Sequence, residues 1–377
     1  MDKSRLFDQE RREMAKDYNR RSKRNNVIHM IFGLILLGIF FGFSLEEEAY
    51  QFFSGWTGNW DLQLASYIAG LFVIYSALGW ILDFMLDYKL AREYELSNQE
   101  PGEWFADKIK GAILSLILLY GMARLIFTLM ELQPELWWAS FSVIGIFFVL
   151  LINFLFPVVL FPLFFKLEPY PDTPLRERLE NLFEKADVKV ADIYEFDLSS
   201  KTNSANAAVM GMGKTRKIIL GDNLKDKYTN EEIEAVMAHE IGHHANGDIF
   251  KFLIIQFATL VFTSFIVSLF WQPVTNWMGY ESISAIYALP LLLLSFGVVN
   301  MVITPFQLWL ERKFEKKADI YAIKLIDEPK DLATAFAKLA DDSLAELQYS
   351  SYKLLFKASH PPIGNRVDLA LEWADKE

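Results

Sequence analysis

The sequence contains no cysteine, and this absence excludes two kinds of structure. Disulfide bridges cannot form, and no zinc site can be built from thiolates. Any metal ion must therefore be held by histidine, aspartate or glutamate. Histidine is itself scarce, with five among 377 residues, so several histidines close together in the sequence are informative.

Basic residues are outnumbered by acidic ones, with 37 lysines and arginines against 48 aspartates and glutamates. No large basic domain is present, so nucleic acid is not an expected partner. The first 26 residues are mostly polar and do not resemble a secretory signal peptide. With 53% hydrophobic residues and a mean hydropathy of +0.18, the composition predicts membrane spans combined with a water-exposed part.

Six apolar stretches are long enough to cross a bilayer as helices. They lie at approximately 27–44, 65–86, 111–130, 137–156, 252–270 and 285–303. Arg124 lies about two-thirds of the way through the third stretch. An ion at this depth usually faces a bundle interior or a wet cavity. The alternative is a side chain that reaches the nearby outer surface, and the sequence leaves both open.

The distribution of charge between these stretches predicts their orientation. Residues 1–26 carry nine lysines and arginines and the loop 87–110 carries four, while the loops 45–64, 131–136 and 271–284 carry none. Positive charge accumulates on the cytoplasmic side, so both termini and the polar segments are predicted to be cytoplasmic. Six tryptophans lie near the opposite loops, as expected of an interfacial belt: Trp56, Trp60, Trp137, Trp138, Trp271 and Trp277.

His239, Glu240 and His243 form an H-E-x-x-H sequence, the spacing of a catalytic zinc site on a helix. Histidines four residues apart lie on one helical face, so both imidazoles can reach one metal ion. The glutamate between them can act on a water molecule at that metal. A capping box beginning at Thr229 opens the predicted helix, and Gly247 follows its end.

A zinc protease needs a third protein ligand and an open position. Glu315 and Asp319 follow the last predicted span and are four residues apart, hence on one helical face. One carboxylate can bind the metal while the other accepts a hydrogen bond from a ligand histidine. The same spacing also occurs on ordinary helix faces exposed to solvent, so spacing alone does not assign a metal-binding role to Glu315 or Asp319.

Two short strands are predicted before the zinc helix, at 206–210 and 217–220, around a glycine-rich turn at 211–214. An exposed strand beside a zinc helix can bind an extended peptide by strand addition. The stretch 208–215 also resembles a degenerate phosphate-binding loop. A phosphate loop needs a helix to follow, and a β-type run follows here, so a hairpin turn is favoured.

Taken together, these residues resemble the type I CAAX prenyl endopeptidases, a family of integral-membrane zinc proteases. The similarity runs from about residue 65 to the C-terminus, and it lies in the order and spacing of several short motifs. They are the loop 94–110, Phe161-Pro162-Leu163-Phe164 followed by Pro171, Ser204-Ala205-Asn206-Ala207, His239 to His243, Arg312 with Glu315-Lys316-Lys317-Ala318-Asp319, and Ser359-His360-Pro361-Pro362 with Arg366.

The resemblance implies a complete metal site. Glu315 becomes the third ligand beside His239 and His243, and one Zn²⁺ is expected per chain. Asp319 becomes the carboxylate that supports a ligand histidine from behind. Glu240 becomes the base that takes a proton from the attacking water and returns it to the leaving amine.

The resemblance also implies a substrate site. Asn206 and Ala207 lie on the strand that pairs with the substrate backbone. His360 and Arg366 approach the substrate carbonyl or peptide, with His360 a donor to the oxyanion. The expected partners are a peptide or protein substrate, lipidated or not, and membrane lipids. The sequence does not indicate an oligomeric state.

The implied fold is mainly α, a polytopic membrane helical bundle of about six spans that encloses a chamber, with a gluzincin-like zinc domain carrying a small β-sheet. The expected organisation is a cytoplasmic basic tail (1–26), a membrane domain of four spans (27–166), a zinc-protease domain (167–248), two further spans (249–303) and the rest of the catalytic domain (304–377). The family has seven spans, so its first is expected to be missing here. Whether that opens the chamber wall is left open.

Three functions fit the sequence. The first is a zinc endopeptidase that cleaves near the C-terminus of prenylated CAAX-type or similar membrane-associated substrates. The second is a general quality-control protease for membrane proteins, and the third is a non-enzymatic chamber that handles lipids. The intact Glu240 argues against the third. Short loops favour a prokaryotic plasma membrane over the endoplasmic reticulum.

Overall fold

The computed structural model describes residues 3–211 and 216–376, most of them helical. The helices are α1 (Gln9–Gly42), α2 (Leu45–Ser54), α3 (Trp60–Leu82), α4 (Lys89–Glu93), α5 (Pro101–Leu132), α6 (Trp137–Leu155), α7 (Pro174–Lys185), α8 (Leu224–Lys227), α9 (Asn230–Ala245), α10 (Asp248–Trp277), α11 (Leu289–Leu325), α12 (Pro329–Asp342), α13 (Ser351–Phe356) and α14 (Ile363–Ala374). The strands are β1 (Leu167–Pro169), β2 (Asp192–Phe196), β3 (Ala207–Met210) and β4 (Lys217–Gly221).

Among the described residues, six helical segments are long and apolar enough to cross a membrane, which confirms the predicted number. They contain α1, α3, α5, α6, α10 and α11. Two of them extend well beyond the predicted apolar stretches. Helix α1 begins at Gln9, and α11 runs to Leu325 without a break, so the last span and the segment with Glu315 are one helix.

The spans pack around a shared apolar core, and away from that core their arrangement is open. Helix α3 packs against α5, α5 against α6, α6 against α10, and α10 against α11. Few residues in the apolar windows of α1, α3 and α6 are buried, so these helices expose apolar side chains on more than one side. A cavity of about 510 Å³ lies between α5, α6, α10 and α11, and Gln256, Asn300 and Gln307 are among the residues that line it. The open arrangement agrees with the chamber expected from the sequence.

Arg124 does not point into this cavity. Its Nε lies 2.6 Å from Asp61 Oδ1 at the start of α3, and its guanidinium lies over the Trp60 ring at 4.7 Å. Trp60 and Asp61 belong to the loop 45–64, which was predicted to lie outside the cytoplasm. The contact therefore favours the outward-reaching alternative.

A four-stranded sheet with the order β1-β2-β4-β3 packs beside the helices of the polar segments. Strands β2 and β4 are parallel, and the other two pairings are antiparallel. Strand β3 begins one residue later than predicted, although the Asn206 carbonyl still accepts a hydrogen bond from the Gly221 amide at 2.9 Å. Because β3 pairs only with β4 among the described residues, it forms an edge of the sheet. Residues 212–215 of the predicted glycine-rich turn lie outside the described residues.

The polar segments share one hydrophobic core, formed by residues of α7, the sheet, α9, the end of α11, α12 and α14. The N-terminal segment belongs to it as well, since Phe7 is buried in the same core. The described part of the predicted tail, residues 3–26, is therefore not a loose basic extension. It is a short helical turn followed by the first turns of α1.

Candidate active site

Helix α9 forms where the sequence predicts it, because both of its ends are specified locally. The Thr229 side chain accepts from the Glu232 amide, and the Glu232 carboxylate accepts from the Thr229 amide, which is a complete capping box. The helix ends before Gly247, whose φ of 67° lies in the left-handed region. Ile233, Met237 and their neighbours on that stripe are buried in the core, and this fixes the rotation of the helix.

Helices α9 and α11 approach each other closely at one point. A Cβ added to Gly242 would lie 2.9 Å from both Cα and the carbonyl oxygen of Ala318. Ala318 is itself fully buried. These two small residues let the backbones touch, and they bring the histidines of α9 within reach of the carboxylates of α11.

His239, His243 and Glu315 converge at this contact. Their candidate ligand atoms all lie within 4.8 Å of one another. His239 Nε2 lies 3.4 Å from Glu315 Oε2, and His243 Nε2 lies 3.3 Å from Glu315 Oε1. The structure therefore brings together the three residues that the sequence predicted as metal ligands.

Each of the two histidines has a carboxylate behind it. His239 Nδ1 lies 2.8 Å from Asp319 Oδ1, and His243 Nδ1 lies 3.0 Å from Asp248 Oδ2. With Nδ1 donating to a carboxylate, Nε2 presents its lone pair toward Glu315. Asp319 was predicted for this position from the sequence.

Asp248 was not predicted. It is fully buried, it begins α10, and its other oxygen accepts from Lys251 Nζ at 2.9 Å. The available signal was an acidic residue directly after Gly247, at the point where an apolar span begins. Such a residue also reads as an ordinary helix-capping aspartate, so the sequence alone did not single it out.

The electrostatics of the site favour a bound cation. Burial lowers the pKa of His243, but hydrogen bonds to Asp248 and Glu315 outweigh it and raise this pKa to about 10. Burial raises the pKa of Glu240, which shares the site with these charges. Carboxylates that attract protons to histidine also attract a metal ion, which competes for the same nitrogen lone pairs.

The donor set suits a divalent metal. Two imidazole nitrogens and one carboxylate, with a glutamate between the histidines, form a three-ligand set of the catalytic type. Glu315 Oε2 is buried and has no hydrogen-bond partner among the described residues. An orphaned buried carboxylate oxygen is costly, and a metal ion at this point would satisfy it.

His360 lies at the open side of the site. Its Nε2 is 3.2 Å from Glu315 Oε1, and its side chain is 55% exposed. Arg312 holds the preceding loop, because its Nη1 donates to the carbonyls of Leu354 and Ala358 at 2.7 and 2.6 Å. His360 is thus placed where a substrate can reach it.

Arg366 lies elsewhere than the sequence suggested. Its guanidinium is buried and donates to both oxygens of Asp319, at 2.9 and 2.7 Å. It therefore sits behind the His239 side chain and not on the open side with His360. The predicted contact of Arg366 with a peptide finds no support in this placement.

Strand β3 lies beside α9, as the sequence predicted for a peptide-binding edge. The Asn206 carbonyl accepts a hydrogen bond from the Gly221 amide, so these two residues form a hydrogen-bonded pair of the β3–β4 ladder. The amide and carbonyl of the next residue, Ala207, therefore point away from β4. Ala207 therefore has backbone groups that β4 does not use, although the residue is only 6% exposed, whereas the backbone carbonyl of Asn206 is bound to Gly221.

Comparison with known proteins agrees with this geometry. A family model described as peptidase family M48 matches residues 169–374, and one described as CAAX prenyl protease N-terminal, five membrane helices, matches residues 3–166. The similarity thus begins near the N-terminus and not at about residue 65. Within 3–166 the described structure has four candidate spans, against five helices in the description.

Individual relatives cover most of the chain. The uncharacterized metalloprotease YhfN of Bacillus subtilis is 27% identical over 320 residues, which cover 84% of this chain and 74% of the relative. The CAAX prenyl protease 1 homolog of Arabidopsis thaliana is 28% identical over 337 residues, covering 85% and 76%.

A solved structure shares the fold. The crystal structure of S. mikatae Ste24p superposes with a TM-score of 0.84 at 20% identity, covering 97% of this chain and 90% of that one. The H-E-x-x-H helix, the converging carboxylates and the six spans all lie inside the matched regions. This chain belongs to peptidase family M48 and is a membrane-embedded metalloprotease.

Proposed function

We propose that this protease uses zinc and cleaves peptide bonds near the C-terminus of substrates that are prenylated or otherwise held at the membrane. The observation that carries the proposal is the convergence of His239, His243 and Glu315 on one point, with Glu240 beside it. Relatives named CAAX prenyl protease 1 homolog, in Arabidopsis thaliana and Homo sapiens, support the substrate class.

His239, His243 and Glu315 would hold the metal, and Asp248 and Asp319 would orient the two imidazoles. Zinc bound there supplies Lewis-acid polarisation of a water molecule and of the scissile carbonyl. Glu240 accepts the proton of the attacking water and delivers it to the leaving amine. Its raised pKa suits both directions of transfer, because the group then gains and loses a proton more nearly at neutral pH.

Two further elements would handle the substrate. His360 donates a hydrogen bond to the oxyanion as the carbonyl becomes tetrahedral, since it is exposed at the open side. The free backbone groups of Ala207, next to Asn206, pair with the substrate backbone by strand addition. The catalytic part is then assembled from 167–248 and 304–377, with α10 and the membrane half of α11 between them.

The cavity between the spans suits a lipid tail. It reaches Gln307 on α11, eight residues or about 12 Å from Glu315. A substrate with its tail in the cavity would place a nearby peptide bond at the metal site. The loop charges support a cytoplasmic active site with both termini on that side, and the short loops favour a prokaryotic plasma membrane.

The test uses two matched peptides and detergent-purified protein. One peptide carries a farnesylated cysteine in a C-terminal CAAX sequence, and the other lacks the lipid. We expect lipid-dependent cleavage. Equal cleavage of both peptides would favour general membrane proteolysis, and cleavage of neither by zinc-loaded protein would point to a narrower substrate or a non-enzymatic role.

Two variants separate the base from the metal site. Glu240→Gln keeps the ligands but removes the proton acceptor, so turnover should fall by at least about 100-fold with the zinc content unchanged. Glu315→Ala removes a ligand, so elemental analysis should find the zinc lost. Turnover in the first variant close to that of the unaltered protein, or a full zinc complement in the second, would contradict the assignments.

A further inference from the structure

Arg366 presents its guanidinium to one carboxylate in a paired, planar geometry. Nε lies 2.9 Å from Asp319 Oδ2, and Nη2 lies 2.7 Å from Asp319 Oδ1. Two parallel charge-assisted hydrogen bonds of this kind fix the plane of the carboxylate as well as its position. Arg366 is 9% exposed and Asp319 is 1% exposed, so water does not compete for these bonds.

The same carboxylate oxygen serves His239. Asp319 Oδ1 accepts from Arg366 Nη2 at 2.7 Å and lies 2.8 Å from His239 Nδ1. The plane that Arg366 imposes on Asp319 is therefore the plane that orients the imidazole. A partner of this kind fixes which ring nitrogen carries the proton and where the other one points.

Other groups also lie close to the guanidinium, on the side of Nη2 and on one face. The Phe336 ring lies 4.0 Å from its central carbon, and Nη2 lies 3.3 Å from His239 Nδ1. Glu315 Oε2 is 3.8 Å from Nη2 on the metal side. A peptide that bound Nε or Nη2 of Arg366 would have to displace Asp319 and leave that carboxylate buried without its counter-charge.

We propose that Arg366 is a positioning residue that acts on the reaction through Asp319 and His239, and that it does not bind the peptide. The inference rests on the proposed function, because it concerns the same metal site. It separates two residues that sequence motifs group together, since His360 faces the substrate side and Arg366 faces the back of a metal ligand.

A double-mutant cycle distinguishes the two roles. The variants are Arg366→Gln, Asp319→Asn and the two combined, with Lys316→Gln as a control that removes a positive charge from an exposed position of α11. We expect each single variant to lower kcat by at least about tenfold with KM within about twofold, and the combination to be no worse than the more damaged single variant. The control should match the unaltered protein.

Zinc binding gives a second readout that does not need turnover. Competition with a chelator should show zinc affinity reduced by about 10- to 100-fold in both single variants and not reduced further in the combination. This arm remains informative if no peptide is cleaved, so failure of the positioning role and failure of the proposed function are distinguishable. If Arg366→Gln does not fold, Arg366→Lys, which keeps the charge but not the paired geometry, takes its place.

A raised KM with kcat and zinc affinity unchanged would overturn the proposal and return Arg366 to the substrate. The proposal would also be overturned if the fold losses in kcat or zinc affinity of Arg366→Gln and Asp319→Asn multiplied in the combined variant. Multiplied losses would mean that the two residues act independently.

Discussion

At the scale of single residues, the catalytic site depends on side chains that never touch the substrate. Arg312 is one of them. It lies on α11 one turn before Glu315, and it holds the carbonyl of Ala358, two residues before His360. The same helix that carries the proposed metal ligand Glu315 therefore also fixes the loop that carries the exposed histidine.

Replacing Arg312 by glutamine should loosen this loop without touching the metal ligands. Because small displacements of a catalytic group are costly, we expect kcat to fall by about 10- to 100-fold. The zinc content should stay at that of the unaltered protein, as measured by elemental analysis on the same sample. Unchanged kcat would show that the His360 loop holds its position by other contacts.

At the scale of secondary-structure elements, the contact of α9 with α11 at Gly242 and Ala318 sets the distance between the proposed metal ligands. Gly242→Ala should push the helices apart, because the added methyl meets backbone atoms that cannot rotate away. We expect a loss of about 1–3 kcal/mol in the free energy of unfolding and a lower zinc content.

A glycine in another helix provides the control for this prediction. Gly33 lies in α1, and a Cβ there would meet nothing within 4 Å. Alanine at this position should leave thermal unfolding unchanged or raise its midpoint, since alanine is the better helix former by about 1 kcal/mol. Equal thermal midpoints for both variants would count against a steric role for Gly242.

Elements with a strong local signal were predictable from the sequence. The capping box, the two histidines one turn apart and the long apolar stretches each specify a structure within a short segment. Trp137 and Trp271 were expected in an interfacial belt, yet both are 2% exposed and lie in the core between the spans. Which face of an apolar helix turns inward depends on neighbours far away in the chain, and composition does not record it.

At the scale of the whole molecule, the N-terminal segment joins the membrane part to the catalytic part. Arg12 binds Asp341 Oδ1 at 2.5 Å and the carbonyl of Ala345 at 2.7 Å, beyond the end of α12. Lys3 donates to Asp368 on α14 at 2.6 Å. No local pattern indicates these contacts, because their partners are more than 300 residues away.

Arg12→Ala should therefore destabilise the catalytic part. Removing one partner of a buried ion pair leaves the other unpaired and costs about 3–5 kcal/mol. Arg20→Ala is the matched control, because that side chain is 80% exposed in its pair with Asp17 and should contribute no more than about 1 kcal/mol. Thermal unfolding in detergent would test both, and equal losses would contradict the buried role of Arg12.

Helix α11 has one more consequence. Its 37 residues form a rod about 55 Å long, with one end in the lipid and the other carrying Glu315. When a continuous helix tilts at one end, its other end moves as well. A bilayer that is too thin or too thick for the apolar end would therefore shift Glu315 relative to α9. We therefore expect turnover in nanodiscs to vary with the acyl-chain length of the surrounding lipid, and equal turnover in thin and thick bilayers would contradict this coupling.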